Sequence, residues 1–318
     1  MKPVPKPQAH EKYERLIEAA ATAGPVATAV VYPCDEVSLK GAIEAARLHL
    51  IDPILVGPVG GIKEIAARQE IDIERFRIID SQNSHDAAAK AVELVRAGEA
   101  EALMKGSLHT DEVMGAVVAR DTGIRTSRRI SHCFILDVPS HPEPLIVTDA
   151  AGNIAPALDE KIDIVQNAID LANALGSQQA RVAILSAMET VNSKVQSSLD
   201  AAALSKMADR GQITGGVVDG PLALDNAIDE EAAATKKITS PVAGRANILV
   251  APDLEAGNML AKALTFLAGA DCAGIVLGAR VPVILTSRAD SLTARLASCA
   301  VAALLAKYRR DQASGRAI

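Results

Sequence analysis

The stretch ILTSRADS, residues 284–291, takes the chain from a strand to a helix and places a hydroxyl beside a guanidinium at the junction. The β-branched apolar run 281–286 predicts a buried strand, and the pattern of 291–307 predicts a helix. Backbone N–H groups at a helix start lack intrahelical partners and carry the positive end of the dipole, so this junction favours anions. Arg288 can bind a phosphate through two hydrogen bonds, and Ser287 can donate to or accept from a reacting group. The alternative is an ordinary helix cap, at Ser287 or Asp290, with no ligand.

Strand-like and helix-like runs alternate along most of the chain outside this junction. The apolar run 26–31, for example, is followed by helical periodicity over 37–50. Strands that alternate with helices of about ten to fifteen residues are typical of βαβ units and a parallel sheet. The sequence therefore predicts an α/β fold with mainly parallel sheets flanked by helices.

The alternation is interrupted once, between the strand-like runs 130–137 and 144–148. No helical segment separates these two runs, which predicts a hairpin-like pair and a domain boundary. We expect residues 1–138 together with 287–318 to form the first α/β domain. The second α/β domain is then expected over residues 139–286.

Composition limits the class of protein. The chain has 318 residues, enough for about two domains. Apolar residues make up 49% and aromatic residues 2%, with no Trp, so the core must consist mainly of Ala, Val, Ile and Leu. The net charge of −6 argues against a nucleic-acid-binding surface but allows a local basic pocket.

The sequence also limits where the protein is expected to act and which cysteine-based sites it can have. No segment has about 18 uninterrupted apolar residues, so no membrane span or membrane partner is expected. The N-terminal residues lack the apolar stretch of a secretory signal, and a cytoplasmic protein is expected. The four cysteines are widely spaced and form no Cys-x-x-Cys pair, so neither a zinc site nor a disulfide framework is predicted.

Loops that follow predicted strands carry the remaining candidates, because open α/β sheets bind ligands at the carboxyl ends of their strands. Lys105, Gly106 and Thr110 precede a predicted helix and form a candidate phosphate cradle. Asp219 opens the segment Asp-Gly-Pro-Leu, residues 219–222, which is predicted as a loop after a strand. Ordinary caps and turns are the alternative for both loops.

Two further loops contain Asp253, Asn258 and Asn153. Asp253 begins a predicted helix, and Gly257 lies in its first turns. A glycine inside a helix costs about 1 kcal/mol relative to alanine, so close approach by a ligand or a packed neighbour is suspected. Asn153 belongs to the small, polar segment 148–156 that follows a strand. Ordinary turn and cap chemistry again remains the alternative.

Other familiar signatures are missing. The chain has no His-Glu-x-x-His, no Gly-x-Ser-x-Gly and no dinucleotide-binding fingerprint, so hydride transfer and serine hydrolysis have no motif. A basic cluster at Arg125, Arg128 and Arg129, beside His132, is interpreted as a solvated turn.

Taken together, these loops resemble the phosphate acetyl/butyryltransferase family. The resemblance is carried, in this order and spacing, by Lys105-Gly106 with Thr110, Asp219-Gly220-Pro221-Leu222, Pro252-Asp253-Leu254 with Gly257-Asn258, and Ser287-Arg288. It covers almost the whole chain, from about Tyr13 to Lys307. It looks closer to the phosphate butyryltransferase branch through Gly123-Ile124-Arg125, Ser131-His132 and the segments 148–156 and 286–291.

The resemblance implies a two-domain fold like that of isocitrate and isopropylmalate dehydrogenases, usually dimeric, with the active site in the interdomain cleft. It implies reversible transfer of a short acyl group between coenzyme A and inorganic phosphate. Acyl-CoA and phosphate are then substrates, and neither a tightly bound cofactor nor a catalytic metal is implied. Acetyl is placed first, with propionyl and butyryl left open.

Residue by residue, the catalytic Ser-Arg pair of the family falls on Ser287 and Arg288. Its hydroxyl-bearing phosphate loop falls on His109 and Thr110, where His109 replaces the Ser of acetyltransferase relatives. The residues then expected to contact phosphate or coenzyme A are Lys105, Thr110, Asp219, Asp253, Asn258 and Asn153.

One departure affects the general base. The family has a catalytic Asp a few residues after the Ser-Arg pair, and this chain has Ala294 at that position. The base therefore stays open among His109, Asp290 and Asp253. Two alternative functions remain: a catalytically weakened coenzyme A-binding homologue, and a metal-dependent decarboxylating dehydrogenase, for which no nicotinamide motif is present.

Overall fold

The computed structural model describes residues 11–286 and 290–314. These residues form two compact units. The first unit contains residues 13–128 and the described residues from 273 onward, and the second contains 129–272 together with Glu11 and Lys12. Each unit consists of a sheet with helices packed on it.

The described helices and strands follow the predicted alternation. In chain order they are α1 (Glu11–Ala23), β1 (Val26–Val31), α2 (Glu36–Arg47), β2 (Ile51–Val56), α3 (Val59–Arg68), β3 (Ile78–Ile79), α4 (Ser84–Arg96), β4 (Ala102–Lys105), α5 (Thr110–Val118), β5 (Ser131–Asp137), β6 (Leu145–Thr148), α6 (Leu158–Ala174), β7 (Ala180–Leu185), α7 (Gln196–Asp209), β8 (Gly216–Leu222), α8 (Leu224–Ile228), α9 (Glu230–Thr235), β9 (Ile248–Val250), α10 (Leu254–Leu267), β10 (Asp271–Leu277), β11 (Val283–Ile284) and α11 (Leu292–Ala313).

The strands of the first unit lie in the order β3-β2-β1-β4-β11-β10. All neighbours in this sheet are parallel except β10 and β11. The strands of the second unit lie in the order β5-β6-β9-β7-β8, where only β5 and β6 are antiparallel. The prediction of an α/β fold with mainly parallel sheets is therefore confirmed.

The residue composition of the core is the one expected from the sequence. Most of the buried apolar side chains are Ala, Val, Ile and Leu, as the low aromatic content required. Leu39, Leu55 and Leu103 in the first unit are fully buried, as are Val147 and Leu249 in the second. Parallel strands covered on both faces are built from such near-continuous aliphatic runs.

Two predicted elements differ in extent from the structure. The helix predicted over 223–234 is two short helices, because Asp229 has extended φ and ψ angles of −124° and 118°. Its carboxylate accepts a hydrogen bond from the Ala232 N–H at 2.8 Å and so begins α9. The strand predicted over 281–286 is limited to Val283 and Ile284.

The two units differ from the predicted domains at three places, the first of which is Glu11 and Lys12 in the second unit. Residues 129–138 belong to the second unit, because β5 pairs with β6 over four residue positions and the two strands form one hairpin. Residues 273–286 belong to the first unit, because β11 pairs with both β10 and β4. The hairpin thus lies at the start of the second unit instead of being divided by a boundary.

A buried ion pair joins α6 and α7 within the second unit. Nζ of Lys161 lies 2.6 Å from Oδ2 of Asp200, and the two side chains are 6% and 7% exposed. Oδ1 of Asp200 accepts a second hydrogen bond from Nε2 of Gln196 at 2.7 Å. Removing one partner of such a pair leaves a buried charge without compensation.

We predict that Lys161→Met lowers the free energy of unfolding by about 3 kcal/mol. The matched control is Lys206→Met, because Lys206 pairs with Asp209 at 2.5 Å while both side chains are more than half exposed. That control should change stability by less than about 0.5 kcal/mol. Urea denaturation of both variants measures the difference, and equal effects would contradict the burial argument.

Candidate active site

The loop after β4 is held against the loop after β1, its neighbour in the sheet. The Gly106 N–H donates to the Val31 carbonyl at 2.8 Å, and the Ser107 hydroxyl donates to the Tyr32 carbonyl at 2.8 Å. A Cβ on Gly106 would collide with the same two carbonyl oxygens, so the position requires glycine. Lys105 is only 8% exposed and donates to the Gly106 carbonyl at 3.3 Å. The predicted phosphate loop therefore starts at the last residue of β4, Lys105, and hydrogen bonds from Gly106 and Ser107 fix its beginning.

His109 and Thr110, at the start of α5, are both exposed. Oε2 of Glu112 accepts a hydrogen bond from the His109 N–H at 2.7 Å, and Oε1 accepts one from the Ser84 hydroxyl. These two hydrogen bonds, the one from Ser84 first, lower the pKa of Glu112. The first turn of α5 thus carries the ionised Glu112 beside Asp111. Because these acids already interact with the positive end of the dipole, the helix start attracts a phosphate less strongly than the sequence suggested.

Asp149 organises the loop after β6. Its carboxylate is 3% exposed and accepts four hydrogen bonds. They come from the N–H groups of Ala151 at 3.0 Å, Gly152 at 2.8 Å and His132 at 3.2 Å, and from Nδ2 of Asn153 at 2.5 Å. A buried carboxylate is tolerated only with such partners, so Asp149 fixes the loop conformation.

The side-chain amide of Asn153 is engaged on both sides. Its Nδ2 also donates to the Ile130 carbonyl at 2.9 Å, and its oxygen accepts from Nε of Arg129 at 2.7 Å. Arg129 in turn forms an ion pair with Glu160 at 2.8 Å. Arg129 nevertheless lies in a loop with its side chain 49% exposed, as expected for a solvated turn, and these contacts are additional to that exposure. Asn153 is 4% exposed, so its amide is buried among these partners.

The start of α10 packs on this same loop. Oδ1 of Asp253 accepts a hydrogen bond from the Ala256 N–H at 2.9 Å, so Asp253 is the N-cap of the helix. Nδ2 of Asn258 donates to the Ala150 carbonyl at 3.1 Å. A Cβ on Gly257 would lie 2.7 Å from the Asp149 carbonyl oxygen. The close approach suspected at Gly257 is therefore a contact with a packed neighbour.

Asp219 lies inside a strand and not in a loop, contrary to prediction. Strand β8 continues through Gly220 and Pro221 to Leu222, with a register shift opposite β7. Oδ1 of Asp219 accepts from the Gly220 N–H at 2.9 Å. Since β7 lies between β8 and β9, Asp219 and the Asp253 loop do not follow adjacent strands.

Ser287 and Arg288 lie outside the described residues, whereas Asp290 is described and half-buried. The N-cap of α11 is Ser291, whose hydroxyl oxygen accepts from the Ala294 N–H at 3.1 Å. The helix cap is therefore Ser291, one residue after Asp290, and not Ser287 or Asp290 as the alternative predicted. The first turn of α11 carries no acidic side chain, in contrast to α5.

The structure therefore sorts the described candidates into two groups. Lys105, His109, Thr110 and Asp290 belong to the first unit, where β4 and β11 are parallel neighbours, with Ile284 opposite Met104. The second-unit group consists of Asn153, Asp219, Asp253 and Asn258, of which all but Asp219 follow the parallel neighbours β6 and β9.

His132 was not selected from the sequence, yet it lies at the same edge as Asn153. It is 4% exposed, stacks edge-on against Phe134 at 4.4 Å, and its Nδ1 is buried without a hydrogen-bond partner among the described residues. Burial lowers the pKa of His132 to about 4, although the charge of Asp149 opposes the shift. The imidazole is therefore neutral near pH 7 and is too weak a base to deprotonate a thiol efficiently. The signal in the sequence was the pair Ser131-His132, one of the motifs that resemble the butyryltransferase branch.

Within residues 11–286 and 290–314, no three His, Cys, Asp or Glu side chains are grouped so that they could hold a metal ion. Among the described helices, none combines the length and the apolar character needed to cross a membrane.

We predict that Gly257→Ala destabilises the protein, because the new methyl group meets the backbone of Asp149 and Ala150. Overpacking of this kind costs about 1–3 kcal/mol. Gly115→Ala, within α5, is the control, since a Cβ there meets nothing within 4 Å. It should stabilise by up to about 1 kcal/mol through helix propensity. Thermal unfolding checks both, and an unchanged midpoint for Gly257→Ala would refute the packing contact.

Known proteins are similar to this chain over most of its length. A family model described as phosphate acetyl/butaryl transferase matches residues 81–303. The phosphate acetyltransferase of Rhizobium meliloti is 64% identical over 304 residues, which cover 96% of this chain and 96% of that protein. The phosphate butyryltransferase of Clostridium acetobutylicum is 44% identical over 278 residues, 87% of this chain and 92% of that protein.

Solved structures are similar over nearly the full length. A branched-chain phosphotransacylase from Enterococcus faecalis V583 has a TM-score of 0.76 at 30% identity, covering 88% of this chain and 99% of that one. A 4-hydroxythreonine-4-phosphate dehydrogenase from Klebsiella pneumoniae has a TM-score of 0.52 at 12% identity, covering 89% and 99%, and shows a shared fold alone. The dehydrogenase-like fold is thereby confirmed. Both the family model and the sequence relatives show that this chain belongs to the phosphate acetyl/butyryltransferase family of acyltransferases.

Proposed function

We propose that this chain catalyses reversible transfer of a short acyl group, acetyl first, between coenzyme A and inorganic phosphate. The observation that carries the proposal is the 64% identity to a phosphate acetyltransferase across 96% of both chains. The butyryltransferase relative is more distant, at 44% identity, which favours acetyl over butyryl. One methylene in an apolar pocket changes specificity by only about 1–3 kcal/mol, so propionyl-CoA and butyryl-CoA are expected to react more slowly.

In the proposed mechanism, Arg288, Thr110 and Lys105 bind the phosphate or the phosphoryl end of an acyl phosphate. The coenzyme thiol gives its proton to a base, and the thiolate sulfur attacks the acyl carbon. A C–S bond forms, the C–O bond to phosphate breaks, and phosphate leaves with the bonding electron pair. Arg288 and Ser287 stabilise the oxyanion that develops on the carbonyl. Direct transfer needs no covalent enzyme intermediate, so positioning supplies much of the acceleration.

The contacts of the described residues support different roles for the remaining candidates. Asp253 uses one carboxylate oxygen to cap α10, and Asn258 holds the loop after β6, so both are suited to shaping a coenzyme A-binding edge. His109 and Asp290 belong to the same unit as Lys105 and Thr110. We therefore favour His109 or Asp290 over Asp253 as the general base. Asn153 and Asp219 are proposed to contact substrate only through small movements of their loop and strand.

A homodimer is also part of the proposal. Helix α10 exposes Met259, Phe266 and Leu267 at 64%, 82% and 87%, along one side of the helix. Large apolar side chains grouped on one surface often mark a protein interface. The resemblance to a usually dimeric family supports the same assignment.

The first test compares acetyl-, propionyl- and butyryl-CoA as substrates with inorganic phosphate. We expect thiol release in all three assays, with the highest kcat/KM for acetyl-CoA. Binding of coenzyme A without turnover would instead support the alternative of a catalytically weakened homologue, since Ala294 occupies the position of the family's catalytic Asp. Reduction of NAD(P) by hydroxy acids would favour the dehydrogenase alternative.

The second test replaces the proposed oxyanion-binding guanidinium. Arg288→Ala should lower kcat by about 100-fold or more, as loss of such a donor does in other enzymes. The control is Arg310→Ala, because Arg310 is 46% exposed and pairs with Glu101 on the surface. Both variants should unfold with midpoints near that of the wild type. Turnover of Arg288→Ala within a fewfold of the wild type would remove Arg288 from the mechanism.

A further inference from the structure

A buried hydrogen bond joins the segment after β11 to the second turn of α11. Nη1 of Arg295 donates to Oγ1 of Thr286 at 2.9 Å. Arg295 is 4% exposed and Thr286 is 5% exposed, so the contact is shielded from water. Hydrogen bonds to charged groups in such surroundings are stronger than neutral ones.

The backbone of Arg295 belongs to the start of α11, because its backbone N–H donates to the carbonyl of the cap residue Ser291 at 3.1 Å. The side-chain stem passes Gly41 of α2, where a Cβ would lie 3.3 Å from Cδ of Arg295. A larger residue at position 41 would therefore press on this stem, and the glycine leaves the room that Arg295 uses.

Thr286 and Ser291 bracket the Ser-Arg pair in the chain. Thr286 directly precedes Ser287, and Ser291 follows Asp290. Residues 287–289 lie outside the described part of the chain, whereas Thr286 and Ser291 are described. The side chain of Arg295 contacts Thr286, and its backbone follows Ser291 in α11.

We propose that Arg295 is a positioning residue for acyl transfer, acting through Thr286 on the point from which Ser287 and Arg288 depart. This inference rests on the proposed function. This buried hydrogen bond, called the tie below, reduces the conformations open to Thr286. Catalytic side chains need to be held within about 0.5 Å of their productive geometry, so loss of the tie should slow the chemical step more than substrate binding.

Thr286→Val tests the tie, because it removes the acceptor while keeping nearly the same shape, and Arg295 stays in place. We expect kcat to fall about 10- to 100-fold, with KM for acetyl-CoA within about threefold of the wild type. Thr286→Ser retains the hydroxyl and should restore most of kcat. In an Arg295→Met background, which removes the donor, Thr286→Val should produce little further loss.

Ser298→Ala is the matched structural control on the same helix. Ser298 is 1% exposed, and its hydroxyl oxygen accepts a hydrogen bond from the Gly274 N–H at 3.1 Å. The control should lower the unfolding midpoint as Thr286→Val does, yet leave kcat within about twofold of the wild type.

Three results would overturn the positioning role while the wild type remains active. The first is a kcat of Thr286→Val within twofold of the wild type. The second is a kcat of Thr286→Ser as low as that of Thr286→Val. The third is a kcat of Ser298→Ala as low as that of either Thr286 variant. A wild-type chain that forms no acetyl phosphate would overturn the proposed function, and this inference with it. The wild-type assay thus separates the two failures.

Discussion

Parallel pairing of strands is the constraint on which the rest of this structure depends. Parallel neighbours end at a common edge, so the loops that follow them are brought together whatever their separation in sequence. In the first unit this places the loop after β4 beside the segment after β11. In the second unit it places the loop after β6 beside the loop after β9. Residues more than a hundred positions apart in the chain, such as Asn258 and Ala150, become hydrogen-bond partners for this reason.

Each edge is stabilised by a buried polar group that the apolar core alone would not tolerate. Asp149 is satisfied by four N–H donors, and it orders the loop against which Gly257 packs. Arg295 donates to Thr286 in the other unit. A buried charge is costly unless its hydrogen bonds are made, so such groups allow few loop conformations. We infer that the same groups prepare the proposed substrate-binding loops before any ligand arrives.

Much of the fold could be predicted because the helices and strands follow local rules. Asp35 and Asn83 cap α2 and α4 through side-chain hydrogen bonds, and both residue types are standard helix-start signals. The aliphatic strands required cover on both faces, which led to the α/β class. Asp219 was misplaced because Gly-Pro usually marks a turn, whereas here a register shift beside β7 keeps the pair inside β8.

The candidate site was predicted less completely, since side-chain partners depend on distant residues. The sequence alone determined the alternation of elements, the residue types at the strand ends and the resemblance to an acyltransferase family. Only the tertiary structure decided that Asn258 binds the Ala150 carbonyl, that Gly257 packs on Asp149 and that Arg129 binds Asn153. The physical reason is that capping and periodicity act over a few neighbouring residues. Burial and hydrogen-bond satisfaction, in contrast, are properties of the packed chain.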